Sequence, residues 1–285
     1  MSRDLKSIAK HALSKVGYGL GPILAGGPET TLSRSAFLEH QRLAGDTTSE
    51  PKTSMVLGRP MQIFNGAAFC RLVDEIWCRE IYRFETDREA PRVLDCGANI
   101  GVASIYFKKL YPKARVTAFE ADARVHAALV ANLQSFDMAD VEAVRRAVWV
   151  DESELTFSSD PASTTGRIGG DTPLDSQAAA TSTVQGVRLA DYLNEPIDML
   201  KMDIEGAETD VLLDCRDLLS NVKAAFVEYH SSADGDQRLD EVLALLREAG
   251  FRIDLEKEGA VTRHPLIQAP ARRGFDLAVN IFARR

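Results

Sequence analysis

Four short stretches place side chains where they could do chemistry together. The first is VLDCGANIGVAS, Val93–Ser104. An apolar run ends on Asp95, Gly97 follows, and Gly101 opens an apolar helical pattern. The second is FEAD, where another run ends on Glu120, 19 residues after Gly101. In the third, KMDIEGAE, Asp203 stands at the end of a run with Glu205 and Glu208 just beyond it. The fourth, FVEYH, brings Glu228 and His230 to the end of the next run.

The glycines alone do not decide the ligand. A residue without a Cβ lets backbone approach a bound molecule, and a helix N-terminus offers free amides. A dinucleotide site uses G-x-G-x-x-G, with pyrophosphate on the helix dipole. In this chain the spacing is Gly97-x-x-x-Gly101, with Asn99 between the glycines. Asp95 precedes Gly97 by two residues, and its carboxylate would repel pyrophosphate and attract a cation. S-adenosylmethionine carries an ammonium and a sulfonium and no phosphate. A carboxylate at Glu120 can accept from both ribose hydroxyls. The pattern therefore suits an adenosyl cofactor with a cationic tail and disfavours a nicotinamide dinucleotide.

Methyl transfer from a sulfonium needs an aligned nucleophile that loses its proton. Asp203, Glu228 and His230 are the candidate catalytic groups, since a positioned carboxylate or imidazole can take that proton. A divalent ion such as Mg²⁺, held by Asp203, Glu205 and Glu228, could instead acidify a hydroxyl. Glu208 has the simpler role of favouring the next helix through its dipole.

These residues need a frame. From Pro91, β-rich runs alternate with amphipathic helices: 92–96, then 101–110; 115–120, then 122–135; 141–150; 198–203, then 206–219; 224–230, then 237–249. That alternation predicts βαβ units and a doubly wound parallel sheet with helices on both faces. Ligands of such sheets bind beyond the carboxyl ends of the strands, where Asp95, Glu120, Asp203 and Glu228 fall. Two terminal runs, 251–258 and 275–285, predict an antiparallel hairpin at the sheet edge. Upstream, 54–64 reads as strand-like and 67–82 as a helix burying Phe69, Leu72, Val73, Ile76 and Ile81. The stretch 158–185 is dense in Ser, Thr, Gly, Asp and Ala and does not fit the alternation. It is expected to be a long loop acting as a lid over the acceptor.

Read together, DCGANIG and FEAD resemble motif I and the acidic loop of class I S-adenosylmethionine-dependent methyltransferases. LKMDIEGAE at 200–208, with REIYRF at 79–84 and AVNIFA at 278–283, narrows the resemblance to the FkbM family. It spans roughly residues 60–285 and leaves 1–55 outside. The resemblance implies a Rossmann-like α/β domain over 56–285, with a mostly parallel seven-stranded sheet and an antiparallel C-terminal hairpin. It implies a cofactor shell of Asp95, Gly97, Ala98, Asn99, Gly101, Glu120 and Ala121, with Arg146 and Ala147 enclosing the adenine and Asp203 at the transfer end. It suggests a hydroxyl on a sugar, polyketide or other small natural product as acceptor.

Composition narrows the alternatives. The 285 residues are 45% hydrophobic and 27% charged, as in a soluble globular protein. A net charge of −8 argues against nucleic acid and anionic membrane as partners. Cys70, Cys78, Cys96 and Cys215 show no C-x-x-C spacing, which fits buried thiols in a reducing cytoplasm. No apolar run reaches the length of about 18 residues that a transmembrane helix needs, and no signal-peptide core is evident. Leu5, Ile8, Ala9, Ala12, Leu13 and Val16 make an apolar stripe at helical spacing. The N-terminal arm, 1–55, is thus expected to pack on its own domain or across a homodimer. A methyltransferase-like chain that has lost its chemistry and serves assembly is the competing class; an intact Asp95, Gly97, Gly101 and Glu120 set argues against it.

Overall fold

The inner strands of the central sheet are buried on both faces, and the helices between them supply the cover. The computed structural model describes residues 32–160, 164, 166–169, 180–232, 235–258, 264, 266–267 and 275–285. The expected helix at 2–16 and the middle of the 158–185 stretch lie outside the described residues. The central sheet contains β3 (Arg92–Cys96), β4 (Arg115–Phe119), β5 (Glu142–Val144), β10 (Ile197–Met202), β11 (Val222–Ser232), β12 (Arg252–Lys257) and β13 (Phe275–Arg284). Their order is β12-β13-β11-β10-β3-β4-β5. The five strands from β11 to β5 run parallel, while β13 is antiparallel to both β11 and β12. This is the doubly wound α/β fold with an antiparallel terminal hairpin that the sequence pattern predicts.

All six residues of β10 are buried, as a strand covered on both faces requires. On one face Val93, Met199 and Phe226 pack under α2 (Gly66–Leu72), α3 (Val102–Leu110) and α4 (Ala123–Ser135). On the other, Leu94, Leu200, Val227 and Tyr229 pack under α5 (Glu208–Asp214) and α6 (Leu239–Glu248). The chain moves outward from β3 to β4 and β5, then crosses back to β10 on the other side of β3. The helices after β3 and β10 thus leave toward opposite faces, and a crevice opens between those two strand ends.

The elements depart from the sequence reading in four places. The strand-like run at 54–64 is a hairpin of β1 (Lys52–Ser54) and β2 (Met61–Ile63), since Gly58 turns the chain at φ +85°. The helix expected over 67–82 changes at Val73 into a π-helical turn, Val73–Cys78. Residues 141–150 form two strands: β5 stays in the central sheet, and β6 (Ala147–Trp149) joins a second sheet. That second sheet corrects the expected loop at 158–185. Its other strands, β7 (Glu154–Ser159), β8 (Gly166–Ile168) and β9 (Ala180–Arg188), take up both ends of the stretch, in the order β6-β9-β7-β8. Hydroxyl-rich Thr and Ser residues suit a pleated, half-exposed surface, which a composition reading takes for a loop.

The one described helix of the arm, α1 (Arg34–Ala44), is capped by Ser33 and docks through a buried imidazole. His40 Nε2 lies 3.0 Å from Asp74 at the start of the π-helical turn. Burial opposes the charge on His40, but the hydrogen bond and field of Asp74 prevail and lift its pKa to about 10. This contribution is complete below the unfolded value of 6.5 and is lost as pH rises through about 10. Wild type should exceed Asp74→Asn in urea-unfolding free energy by about 1 kcal/mol near neutral pH, because Asp74 is partly solvated. That gap should close above about pH 10. A pH-independent gap would contradict the assignment.

Candidate active site

The turn between β3 and α3 is held by a buried cation that the motif reading overlooks. Asp95 is 0% exposed. It accepts a 2.6 Å hydrogen bond from Ser104 Oγ and lies 3.5 Å from Lys201 Nζ. Lys201 donates to the carbonyls of Gly97 (2.7 Å) and Cys96 (3.2 Å), and stands 3.8 Å from Asp203. Burial alone would lower the lysine pKa, but Asp95 and Asp203 raise it, so the ammonium stays charged. The cation that Asp95 meets is thus the chain's own. Gly97, at φ +79°, has a similarly internal cause: a Cβ there would fall 1.8 Å from the Asp203 carbonyl oxygen. Close approach to β10's end requires this glycine before any ligand does.

Beyond that turn a narrow cleft is lined by Gly97, Asn99, Phe119, Glu120, Ala121, Arg146, Ala147, Val148, Asp203 and Glu205, among others. Of the expected cofactor shell, Asp95, Ala98 and Gly101 are buried and absent from this lining; they shape the turn from beneath. Gly101 adopts φ +92° at the start of α3, where a Cβ would meet Leu129 at 2.7 Å. Glu120 accepts from the amides of Asn99 (3.0 Å) and Asp122 (2.9 Å). Burial lifts its pKa to about 7 despite those bonds. Asn99, left-handed at φ +51°, donates its side-chain amide to Thr164 Oγ1 at 2.9 Å. Thr164, Gly166 and Ile168 of the 158–185 stretch also line the cleft.

At the cleft's other end three groups converge. Ligand atoms of Asp203, Glu228 and His230 all lie within 4.8 Å of one another. His230 is clamped: Nδ1 is 3.1 Å from Glu208, Nε2 is 3.3 Å from Glu228, and its ring packs against Phe275. Burial opposes its charge, yet Glu208 and Glu228 push its pKa well up. These carboxylates favour the protonated imidazole. Glu228 is raised to about 7 by burial and by Asp203, against the pull of His230. Glu208, wholly buried, receives the amides of Ile204 and Gly206 at 3.1 Å. It fixes the loop after β10 rather than only favouring α5.

The metal reading finds Asp203 and Glu228 together but places Glu205 outside the trio, 3.9 Å from His230 Nε2. Mg²⁺ takes oxygen ligands, whereas one of the three converging groups is an imidazole. Sequence reasoning also missed Lys201, although it sits two residues before Asp203 in the same motif. It missed Asn132, whose buried side-chain amide bonds Ile100 O at 2.8 Å and ties the turn to β2. An asparagine on an otherwise apolar helix face was the available signal.

Residues 95–253 match the methyltransferase FkbM domain, more than half of the chain. The chain belongs to the FkbM methyltransferase family. Among its relatives is the 31-O-demethyl-FK506 methyltransferase FkbM of Streptomyces tacrolimicus, 31% identical over 211 residues, covering 64% of this chain and 80% of that one. The AMB antimetabolite synthetase AmbE of Pseudomonas aeruginosa is 31% identical over 226 residues; the match covers 65% of this chain and spans 10% of AmbE. A solved methyltransferase FkbM from Methylobacillus flagellatus aligns over 87% of this chain and 58% of its own, with TM-score 0.45 and 15% identity. Within the FkbM turn, Gly97→Ala should cost roughly 2–4 kcal/mol in urea unfolding, because its Cβ overlaps backbone at a left-handed position. Wild-type stability in that variant would contradict the close contact between Gly97 and the end of β10.

Proposed function

We propose that the chain binds S-adenosylmethionine in the cleft and transfers its methyl group to a hydroxyl oxygen of a small acceptor, such as a sugar or polyketide. The observation that carries this reading is the run of polar groups along one cleft. It passes from buried Glu120, through the Gly97–Asn99 turn, to Asp203, beside which Glu228 and His230 lie. Glu120 keeps lone pairs for ribose hydroxyls, and Ala121, Arg146, Ala147 and Val148 flank the adenine position. Asp203 carries the negative charge left over when Lys201 neutralises one acid of its pair, which suits a cationic tail. When bound, the cofactor supplies an electrophilic methyl on sulfonium sulfur. The chain's residues align the acceptor and remove its proton.

Glu228 is the proton acceptor in this scheme, and His230 is its positioning partner. The imidazole, favoured in its protonated form by Glu208 and Glu228, holds the carboxylate beside Asp203. Thr164, Gly166 and Ile168 of the 158–185 stretch help to exclude water from the cleft, with Thr164 latched to Asn99. The described part of the arm packs on the transfer domain of the same chain, through Leu43 and His40.

Three measurements check this. Glu120→Ala should weaken cofactor binding, by calorimetric titration, by about 1.5–3 kcal/mol, the range for hydrogen bonds to a charged group. Because Glu228 works deprotonated, wild-type kcat should rise with pH through about 7. Glu228→Gln should lower it by roughly 10²–10⁴ and abolish that rise. Activity should persist in EDTA; its loss, with restoration by Mg²⁺, would overturn the metal-free scheme.

A further inference from the structure

The face of the sheet beyond Glu228 carries acceptor groups that no donor among the described residues satisfies. On β13, Asn280 stands opposite Glu228 of β11 and Glu256 of β12. It shares a face with Phe282, which packs on Phe226 at 5.3 Å, so its amide and the Glu228 carboxylate project together. Asn280 is 7% exposed, and its Oδ1 has no hydrogen-bond partner among the described residues. An unmet acceptor at that depth is costly unless something fills it.

The segment crossing this face adds an acid. Arg79 grips Glu256 with two hydrogen bonds of 2.7 and 2.8 Å, and Tyr82 packs on Phe226 at 4.7 Å. One turn back lies Glu75, in the π-helical turn, a geometry that recurs at functional sites. Its carboxylate makes no ion pair or side-chain hydrogen bond among the described residues. Burial and the fields of Glu258 and Glu228 raise its pKa to about 7, while Arg79 and Arg71 pull weakly the other way. Two of the nearby cations are engaged elsewhere: Arg79 with Glu256, and His230 with Glu208 and Glu228.

We propose that Glu75, Glu228 and Asn280 form a subsite for a protonated amine on the methyl acceptor, so that the acceptor bears an ammonium as well as a hydroxyl. This rests on the transfer reading above. The ammonium offers three donors and one positive charge, matching two carboxylates and an amide oxygen. Its position beyond Glu228 sets the amine apart from the hydroxyl that faces Asp203.

The test uses the full chain, with and without S-adenosylhomocysteine, and two matched probe pairs: D-glucosamine against D-glucose, and cyclohexylamine against cyclohexanol. Calorimetric or thermal-shift titration should show the amine of each pair binding at least about tenfold more tightly. Glu75→Gln should erase that preference while leaving S-adenosylhomocysteine affinity within about twofold. Asn280→Leu, which removes the unmet acceptor, should erase it as well. Equal binding within the pairs, no amine binding, or a preference that survives Glu75→Gln would overturn the subsite. A chain that fails to bind S-adenosylhomocysteine would instead overturn the transfer reading, and the two failures are read separately.

Discussion

Lys201 is the charge on which the site depends. Its ammonium is buried between Asp95 and Asp203 and holds the carbonyls of Cys96 and Gly97. Those contacts bind the ends of β3 and β10 to each other at the point where the sheet's connections reverse direction. Two acids alone in that position would repel and open the crevice. Removing one partner of a buried pair commonly costs about 3–5 kcal/mol, since the remaining charge is left stranded. That loss is more than most small domains can sustain without consequence.

The same balance organises the rest of the cleft. With Lys201 committed to the turn, net negative charge remains at Asp203, whose side chain is partly exposed, and at Glu228 and Glu205 beyond it. Glu208 and His230 then brace the loop after β10 from below. Backbone strain gathers in the same region: Asn99 and Glu205 both hold left-handed conformations without being glycine. Such residues persist where surrounding contacts over-determine them, and they mark the turns that line the cleft.

Much of this was legible in the sequence because it rests on local pattern. Alternating runs carried the order of strands and helices, and strand-end acids marked the cleft, since side chains there project beyond the sheet. What escaped depends on long-range pairing. Asp95 looked like a ligand for a cofactor cation because Lys201, over a hundred residues away, is brought to it only by the β3–β10 register. Gly97 looked like a ligand approach because the Asp203 carbonyl is invisible until those strands lie side by side. The three carboxylates around His230 come from the loop after β10, α5 and β11 together, so its environment could not be read from FVEYH alone. The π-helical turn has no sequence signature of its own, so Glu75 passed as part of an ordinary amphipathic helix.

If the Asp95–Lys201 pair builds the cofactor cleft, the two residues must act on cofactor affinity as a unit. A double-mutant cycle with Lys201→Met and Asp95→Asn, read as S-adenosylhomocysteine affinity by calorimetry, tests this most directly. Each single variant should lose affinity, and the double variant should lose less than the sum, with a coupling of about 1–3 kcal/mol. Strictly additive losses, or undiminished affinity in Lys201→Met, would contradict it.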